Sequence, residues 1–318
     1  ASAYYDKGCA LARVGRDRQA IEALEIASAV DPNFSVAYFE KGLALARLSK
    51  NKDAIAAFDA ALAINASSAP VFLNKGRALA NLKKFNDAIT AFDSAIKLDP
   101  SGYDAWFAKG CAHSRLKQYD EAVAAFDRAL AIDKDQYLAY HEKGVALARL
   151  GRYDEAVAAL SDAIALDSKK PETHYEKGRA EFELGHDEEA VTTFGRVLEL
   201  DTTFADAAYF LGLALERLGR YTDAITAFDG MLSHTPDHFG TWFHRGLAAV
   251  QIGKDEDAVQ SFEKARQIEP HDIPLLFSEG KAWYRLGQYE DALHLFDIAL
   301  GKEPGNGEIL FEKGKTLV

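Results

Sequence analysis

The sequence predicts an all-α solenoid of tandem helical hairpins, and three observations lead there. Ten glycines (Gly8, Gly42, Gly76, Gly110, Gly144, Gly178, Gly212, Gly246, Gly280 and Gly314) recur at an unbroken 34-residue interval. With the ladder glycine numbered 8, position 20 is alanine in every full unit, from Ala20 and Ala54 to Ala258 and Ala292. Position 24 is Phe or Leu throughout, from Leu24 and Phe58 to Phe262 and Phe296. A fixed period of this size marks stacked helical repeats. The units run 1–34, 35–68, 69–102, 103–136, 137–170, 171–204, 205–238, 239–272 and 273–306, and residues 307–318 begin another first helix. Two helices per unit plus this last one make about 19 helices. The uninterrupted register predicts a single array over residues 1–318 that is a fragment of a longer protein, with no room for a grafted catalytic domain.

Each element follows from its residues. Positions 4, 8 and 11 share one face of a first helix. Gly15, Gly151, Gly185, Gly219, Gly253 and Gly287 recur at position 15, where glycine ends a helix with positive φ. Positions 20, 24 and 27 share one face of a second helix, and position 27 is Ala except at Val197 and Met231. Pro32, Pro100, Pro236, Pro270 and Pro304 then stop it, because proline cannot continue a helix. A glycine inside a helix costs about 1 kcal/mol relative to alanine. The expected compensation is close approach of the partner helix, with Ala at position 20 facing the missing side chain and position 24 filling the space between hairpins.

Bulk composition bounds the function classes. The chain has 318 residues, 48% of them hydrophobic, and carries 37 Lys+Arg against 49 Asp+Glu, a net charge of −12. That balance disfavours tracking a phosphate backbone, so no nucleic acid is expected. No apolar run approaches the length of a bilayer span and no signal peptide is visible, so a cytoplasmic protein without a membrane partner is expected. Cys9 and Cys111 lie three repeats apart and are expected as reduced, small apolar residues. His234 and His238 flank Pro236 at a helix end and are not expected to bind metal. The recurring glycines are explained by the repeat, no glycine-rich phosphate loop exists, and no Ser/His/Asp arrangement rises above background. No catalytic residue, metal or cofactor is expected.

The pattern resembles the tetratricopeptide repeat, with an aromatic at position 4 (Tyr4, Tyr38, Phe72, Trp106, Tyr140, Trp242), Gly at 8, Ala at 20, Phe at 24 and Pro at 32. It departs at position 7, which is Lys in seven units, and at position 11, mostly Leu. A lysine there can lay its stem on the core and keep its ammonium wet. The resemblance implies an α-α superhelix whose first helices line a concave groove that grips a protein or peptide partner.

By the same resemblance, positions 2, 5, 6, 9, 12 and 13 face that groove. Position 5 supplies an aromatic stripe that includes Phe39, Phe107, Tyr175, Tyr209, Phe243 and Phe277. Position 13 supplies Arg13, Arg47, Arg115, Arg149, Arg217 and Arg285, and position 9 adds Arg77 and Arg179. Aromatic anchors beside forked guanidinium groups suit an extended peptide with apolar and acidic side chains. Two competing roles are open. The aromatics can simply cover the first helix, and the arginines can be neutralised by Glu at position 6 of the next unit: Arg13 with Glu40, Arg115 with Glu142, Arg149 with Glu176, Arg285 with Glu312. Neither the chaperone-tail clamp of the family, which needs Lys at position 5, nor its asparagine ladder at position 6 is present.

Three further expectations complete the reading. His174 and Glu181 lie two turns apart on one face of the sixth unit and could pair as a polar break, unless Tyr175 takes the core role instead. Ile309, Leu310, Phe311 and Leu317 lack a second helix to cover them, which predicts self-association there. The competing functions are a regulatory or substrate-presenting arm of a larger enzyme and, less favoured, an RNA-binding helical repeat.

Overall fold

The computed structural model describes residues 1–318. Nineteen helices follow one another without a strand. They fall into two compact units, residues 1–167 and 168–318. The first holds α1 (Ser2–Arg13), α2 (Asp17–Val30), α3 (Ser35–Arg47), α4 (Asn51–Ile64), α5 (Ala69–Asn81), α6 (Phe85–Leu98), α7 (Tyr103–Arg115), α8 (Tyr119–Ile132), α9 (Tyr137–Arg149) and α10 (Tyr153–Leu166). The second holds α11 (Pro171–Leu184), α12 (Asp187–Leu200), α13 (Ala205–Arg217), α14 (Tyr221–His234), α15 (Phe239–Gln251), α16 (Asp255–Ile268), α17 (Ile273–Arg285), α18 (Tyr289–Lys302) and α19 (Gly307–Thr316). Within each unit every helix packs on the next in the chain, as a hairpin stack requires.

The turn between paired helices is left-handed at position 15 throughout: φ is 75° at Gly15, and the three units without glycine place Ser49, Lys83 and Lys117 at 59–60°. Every second helix stops at position 30, ahead of the prolines. The core is the column formed by positions 8, 20, 24 and 27, with Phe58, Phe92, Phe126, Phe194, Phe228, Phe262 and Phe296 fully buried.

The contact made by the ladder glycine corrects the expectation. A Cβ on Gly42 would stand 2.4 Å from Cε1 of Phe58, and one on Gly76 would stand 2.4 Å from Cε1 of Phe92. The residue that fills the missing side chain's space is therefore position 24 of the same hairpin, not Ala at position 20. Alanine at 20 is fully buried and serves the helix contact beside it. The same Phe58 also belongs to a cluster with Val71 and Ala78 of the next hairpin, so position 24 closes both the hairpin and its junction.

Candidate functional site

The face expected to form the groove is built from first helices, and its aromatic stripe is only half exposed. Phe39, Phe107, Tyr175, Tyr209, Phe243 and Phe277 each sit with ring centroids 5.8–6.3 Å from the buried position-24 ring of their own hairpin. Tilted pairs at this distance are favourable aromatic geometry. The stripe thus covers the core and presents its remaining faces outward.

The arginine column divides into two classes. Arg47 donates from Nε to Asp17 at 2.8 Å, Arg217 lies 3.2 Å from Asp187, and Arg285 lies 3.1 Å from Asp255. Each acid is position 17 of the preceding hairpin, the first residue of its second helix, where a carboxylate also meets the helix dipole. Arg217 donates in addition to the Phe182 carbonyl at 3.0 Å and lays its guanidinium 4.2 Å from the Phe182 ring centroid. These three arginines are committed to the fold. Where position 17 is Asn51, position 13 of the next hairpin is Asn81, and the two amides meet at 3.4 Å. The expected pairs with position 6 of the following unit do not form at Arg13 and Glu40, Arg115 and Glu142, or Arg285 and Glu312. Glu312 instead takes Lys315 at 2.8 Å. A seven-position axial offset, about 10 Å along the helix, is the physical reason.

Opposite Arg115 and Arg149, position 17 is aromatic: Phe85 and Tyr119. Both arginines are exposed, and neither forms an ion pair. Arg115 stands at a cavity of about 660 Å³ between the third and fourth hairpins, lined among others by Phe85, Phe92, Phe107, Cys111 and Arg77. The fold therefore brings together three of the groove residues expected from sequence (Arg77, Phe107 and Arg115) around an aromatic floor. Arg77 donates to Asp104 at 2.7 Å on the exposed rim. Burial pushes the Cys111 thiol up to about 12, so it is a neutral, unreactive part of the wall.

The second unit treats the equivalent places differently. Tyr175 has its ring 4.9 Å from that of Phe204 and 6.1 Å from that of Phe210. Arg179 lies 5.1 Å from the Phe210 ring centroid. Aromatic side chains of the chain itself thus occupy this part of the face. Tyr209 is likewise covered, with His238 at 5.1 Å and Phe210 at 5.6 Å. Phe243 stacks on Phe239 at 5.9 Å, while Phe277 has Lys281 over its ring at 5.2 Å. His174 and Glu181 are both buried but take different partners: the His174 ring meets the Ser168 carbonyl at 3.1 Å and Glu181 meets Lys177 at 3.4 Å. Tyr175 packs against the same core without displacing His174. His238 caps α15 by accepting from the Thr241 N–H at 3.1 Å, a structural task.

Position 7 pairs backward with position 25 of the preceding hairpin: Lys75 with Asp59, Lys109 with Asp93, Lys143 with Asp127 and Arg245 with Asp229, each at 2.6 Å. The lysine stems are about three-quarters buried, as the snorkelling expectation required, and the signal lay in the matching residue types 16 positions apart. At the eighth and ninth hairpins both positions are acidic, Glu263 and Glu279. There Arg266 donates to the fully buried Glu279 at 2.9 Å.

Known proteins agree with this architecture. A family model described as tetratricopeptide repeat matches residues 5–70, 73–137, 107–171, 141–203, 175–238, 211–273 and 277–317. Among solved structures, the MamA protein is 26% identical over 53% of this chain and 92% of its own, with a TM-score of 0.51. The C-terminal part of a repeat-containing protein from Cytophaga hutchinsonii is 17% identical over 75% of this chain and 98% of its own, with a TM-score of 0.64. A tetratricopeptide repeat protein from Parabacteroides merdae is 17% identical over 79% and 99%, with a TM-score of 0.54. No curated protein sequence matches. No helix is long and apolar enough to cross a membrane. Stacked hairpins of this kind are, in general, protein-interaction scaffolds and typically non-catalytic. With its glycine ladder, its position-24 core and a family model matched along nearly its whole length, the chain belongs to the tetratricopeptide repeat family.

Proposed function

We propose that the chain is a non-catalytic scaffold that binds a segment of another protein along the face of its first helices, anchored at the recess around Phe107. The observation that carries this reading is the change at position 17. Where that position is Asp, the neighbouring arginine is spent on the fold; where it is Phe85, Arg115 is exposed without an acidic partner beside an aromatic-floored cavity of about 660 Å³. An apolar side chain entering the cavity with a carboxylate close by would satisfy both features, since a guanidinium binds carboxylates through two parallel donors. Immobilised chain should capture a set of proteins that Arg115→Ala and Phe107→Ala each lose and that Arg47→Ala retains. Capture unaffected by either groove substitution would reject the reading.

The same scaffold reading extends to contacts between copies. Leu310 and Phe311 of α19 are 48% and 66% exposed next to buried Ile309. Sedimentation should show concentration-dependent association that Phe311→Ser abolishes; a strict monomer at high concentration would count against it.

A further inference from the structure

The junction between the seventh and eighth hairpins shows how these stacks close the face away from the arginines. Trp242, at position 4, donates its indole N–H to the Pro236 carbonyl at 2.7 Å. Arg245 lies 5.8 Å from the indole centroid and 2.6 Å from Asp229, so cation, acid and ring form one cover. The junction between the third and fourth hairpins repeats it: Trp106 donates to the Pro100 carbonyl at 3.1 Å, and Lys109 lies 5.5 Å from the ring and 2.6 Å from Asp93.

Between the sixth and seventh hairpins all three parts are missing together. The ring position is Ala208, the cation position Leu211 and the acid position Gly195. What remains is a recess of about 580 Å³ lined by Val191, Leu198, Leu215 and Ala227 and also by Thr202. The same locus between the first and second hairpins, which keeps Tyr38, Lys41 and Glu25, measures about 410 Å³. Thr202 occupies position 32, whose backbone carbonyl accepts the indole N–H in both tryptophan-closed junctions. Of the lining residues, Arg220 and Asp223 are paired with each other at 2.9 Å. The recess thus offers largely apolar walls, with the side chains of Thr226, Ser233 and His234 and the exposed Thr202 also on its lining.

We propose that this recess binds the indole ring of a tryptophan side chain presented by a partner protein, with the indole N–H donated to the Thr202 carbonyl. The occupant's chemistry is read from the sibling junctions, where an indole fills the equivalent place. The loss of both the cation and the acid argues against a charged ligand, which would be desolvated there without compensation. Tryptophan is also among the residues that most often anchor protein interfaces. None of the groove residues around Phe107 takes part, so this site stands or falls independently of that one.

The test uses the full chain, with the methyl signals of Leu198 and Leu215 as the readout and the blocked pentapeptide Gly-Gly-Trp-Gly-Gly as the probe. Saturable shifts are expected with the tryptophan peptide, and binding about tenfold weaker when the indole nitrogen is methylated, the effect of one lost hydrogen bond. No saturable response is expected when leucine replaces tryptophan. Ala208→Trp should fill the recess from within and abolish the response. The double variant Gly195→Asp/Leu211→Lys should rebuild the bridging pair and weaken binding at least about tenfold. It also keeps the test decisive if Ala208→Trp folds poorly, because a Cβ at Gly195 meets nothing within 4 Å. The proposal is overturned by an absent response, by an equal response to the leucine peptide, or by shifts that survive the double variant. Free indole saturating the recess while the pentapeptide does not would likewise overturn assignment to a partner's side chain.

Discussion

Phe58 and Gly42 meet so closely that neither can be understood alone. The ring leaves no room for a Cβ, which would lie 2.4 Å from Cε1 and 2.6 Å from Cδ1. Gly42→Ala gains helix propensity of about 1 kcal/mol, yet overpacking against a fully buried ring costs typically 1–3 kcal/mol. A net loss of stability is expected in urea unfolding. Phe58→Ala should cost about 3–5 kcal/mol, and the double variant less than the sum, because each change relieves the other. Additive losses would show that the glycine answers to something else. A second residue-scale prediction concerns Glu279. Burial pushes its carboxyl above the ordinary 4.5, with Arg266 opposing the shift only in part. The folded chain therefore holds this proton more tightly than the unfolded chain. Its contribution is full below the ordinary glutamate value and is lost as pH rises through the raised one. Glu279→Gln, which can still accept from Arg266, should gain stability relative to the parent as pH rises from about 4 to about 7. A pH-independent difference between the two unfolding curves would contradict this.

At the scale of the element, the helices and turns were legible because they are set by local chemistry. Position 15 must be left-handed, so its six glycines could be read as turns. Ser49, Lys83 and Lys117 could not, because a side chain in that conformation is tolerated only under the constraint of the surrounding hairpin. Lys117→Gly should therefore stabilise the chain by about 1 kcal/mol in thermal or urea unfolding; a loss would mean that Lys117 makes a contact worth more than the strain. Contacts between hairpins were less legible. The residue types at position 13 gave the arginines, and the type at position 6 suggested acidic partners. Which partner a long side chain reaches depends on the rotation of one hairpin against the next, which no single helix encodes. Arg47, Arg217 and Arg285 turn back to position 17 rather than forward to position 6. The signal lies 30 residues earlier: Asp17, Asp187 and Asp255 precede the paired Arg47, Arg217 and Arg285, whereas Phe85 and Tyr119 precede the unpaired Arg115 and Arg149.

Across the whole molecule, each layer of the stack has its own use. The position-24 column supplies the hydrophobic core, and loss of one ring is felt by its own hairpin and by the next. The backward pairs from position 7 to position 25 join successive hairpins through half-exposed charges; such pairs contribute only about 0–1 kcal/mol each. They serve register more than stability, and raising the salt concentration should lower the unfolding midpoint only slightly. The proposed functions rest instead on particular junctions: Phe85 rather than an acid beside Arg115, and Ala208, Leu211 and Gly195 in place of a covered junction. A regular sequence gives the fold away easily and hides its candidate sites, since which side chains are left unpaired is visible only once neighbouring hairpins are stacked. The most direct test is Phe85→Asp, which gives Arg115 the same partner that Arg47 has in Asp17. Immobilised Phe85→Asp chain should retain its helical signal and melting temperature while losing the same captured proteins that Arg115→Ala loses; capture identical to the parent chain would contradict the account.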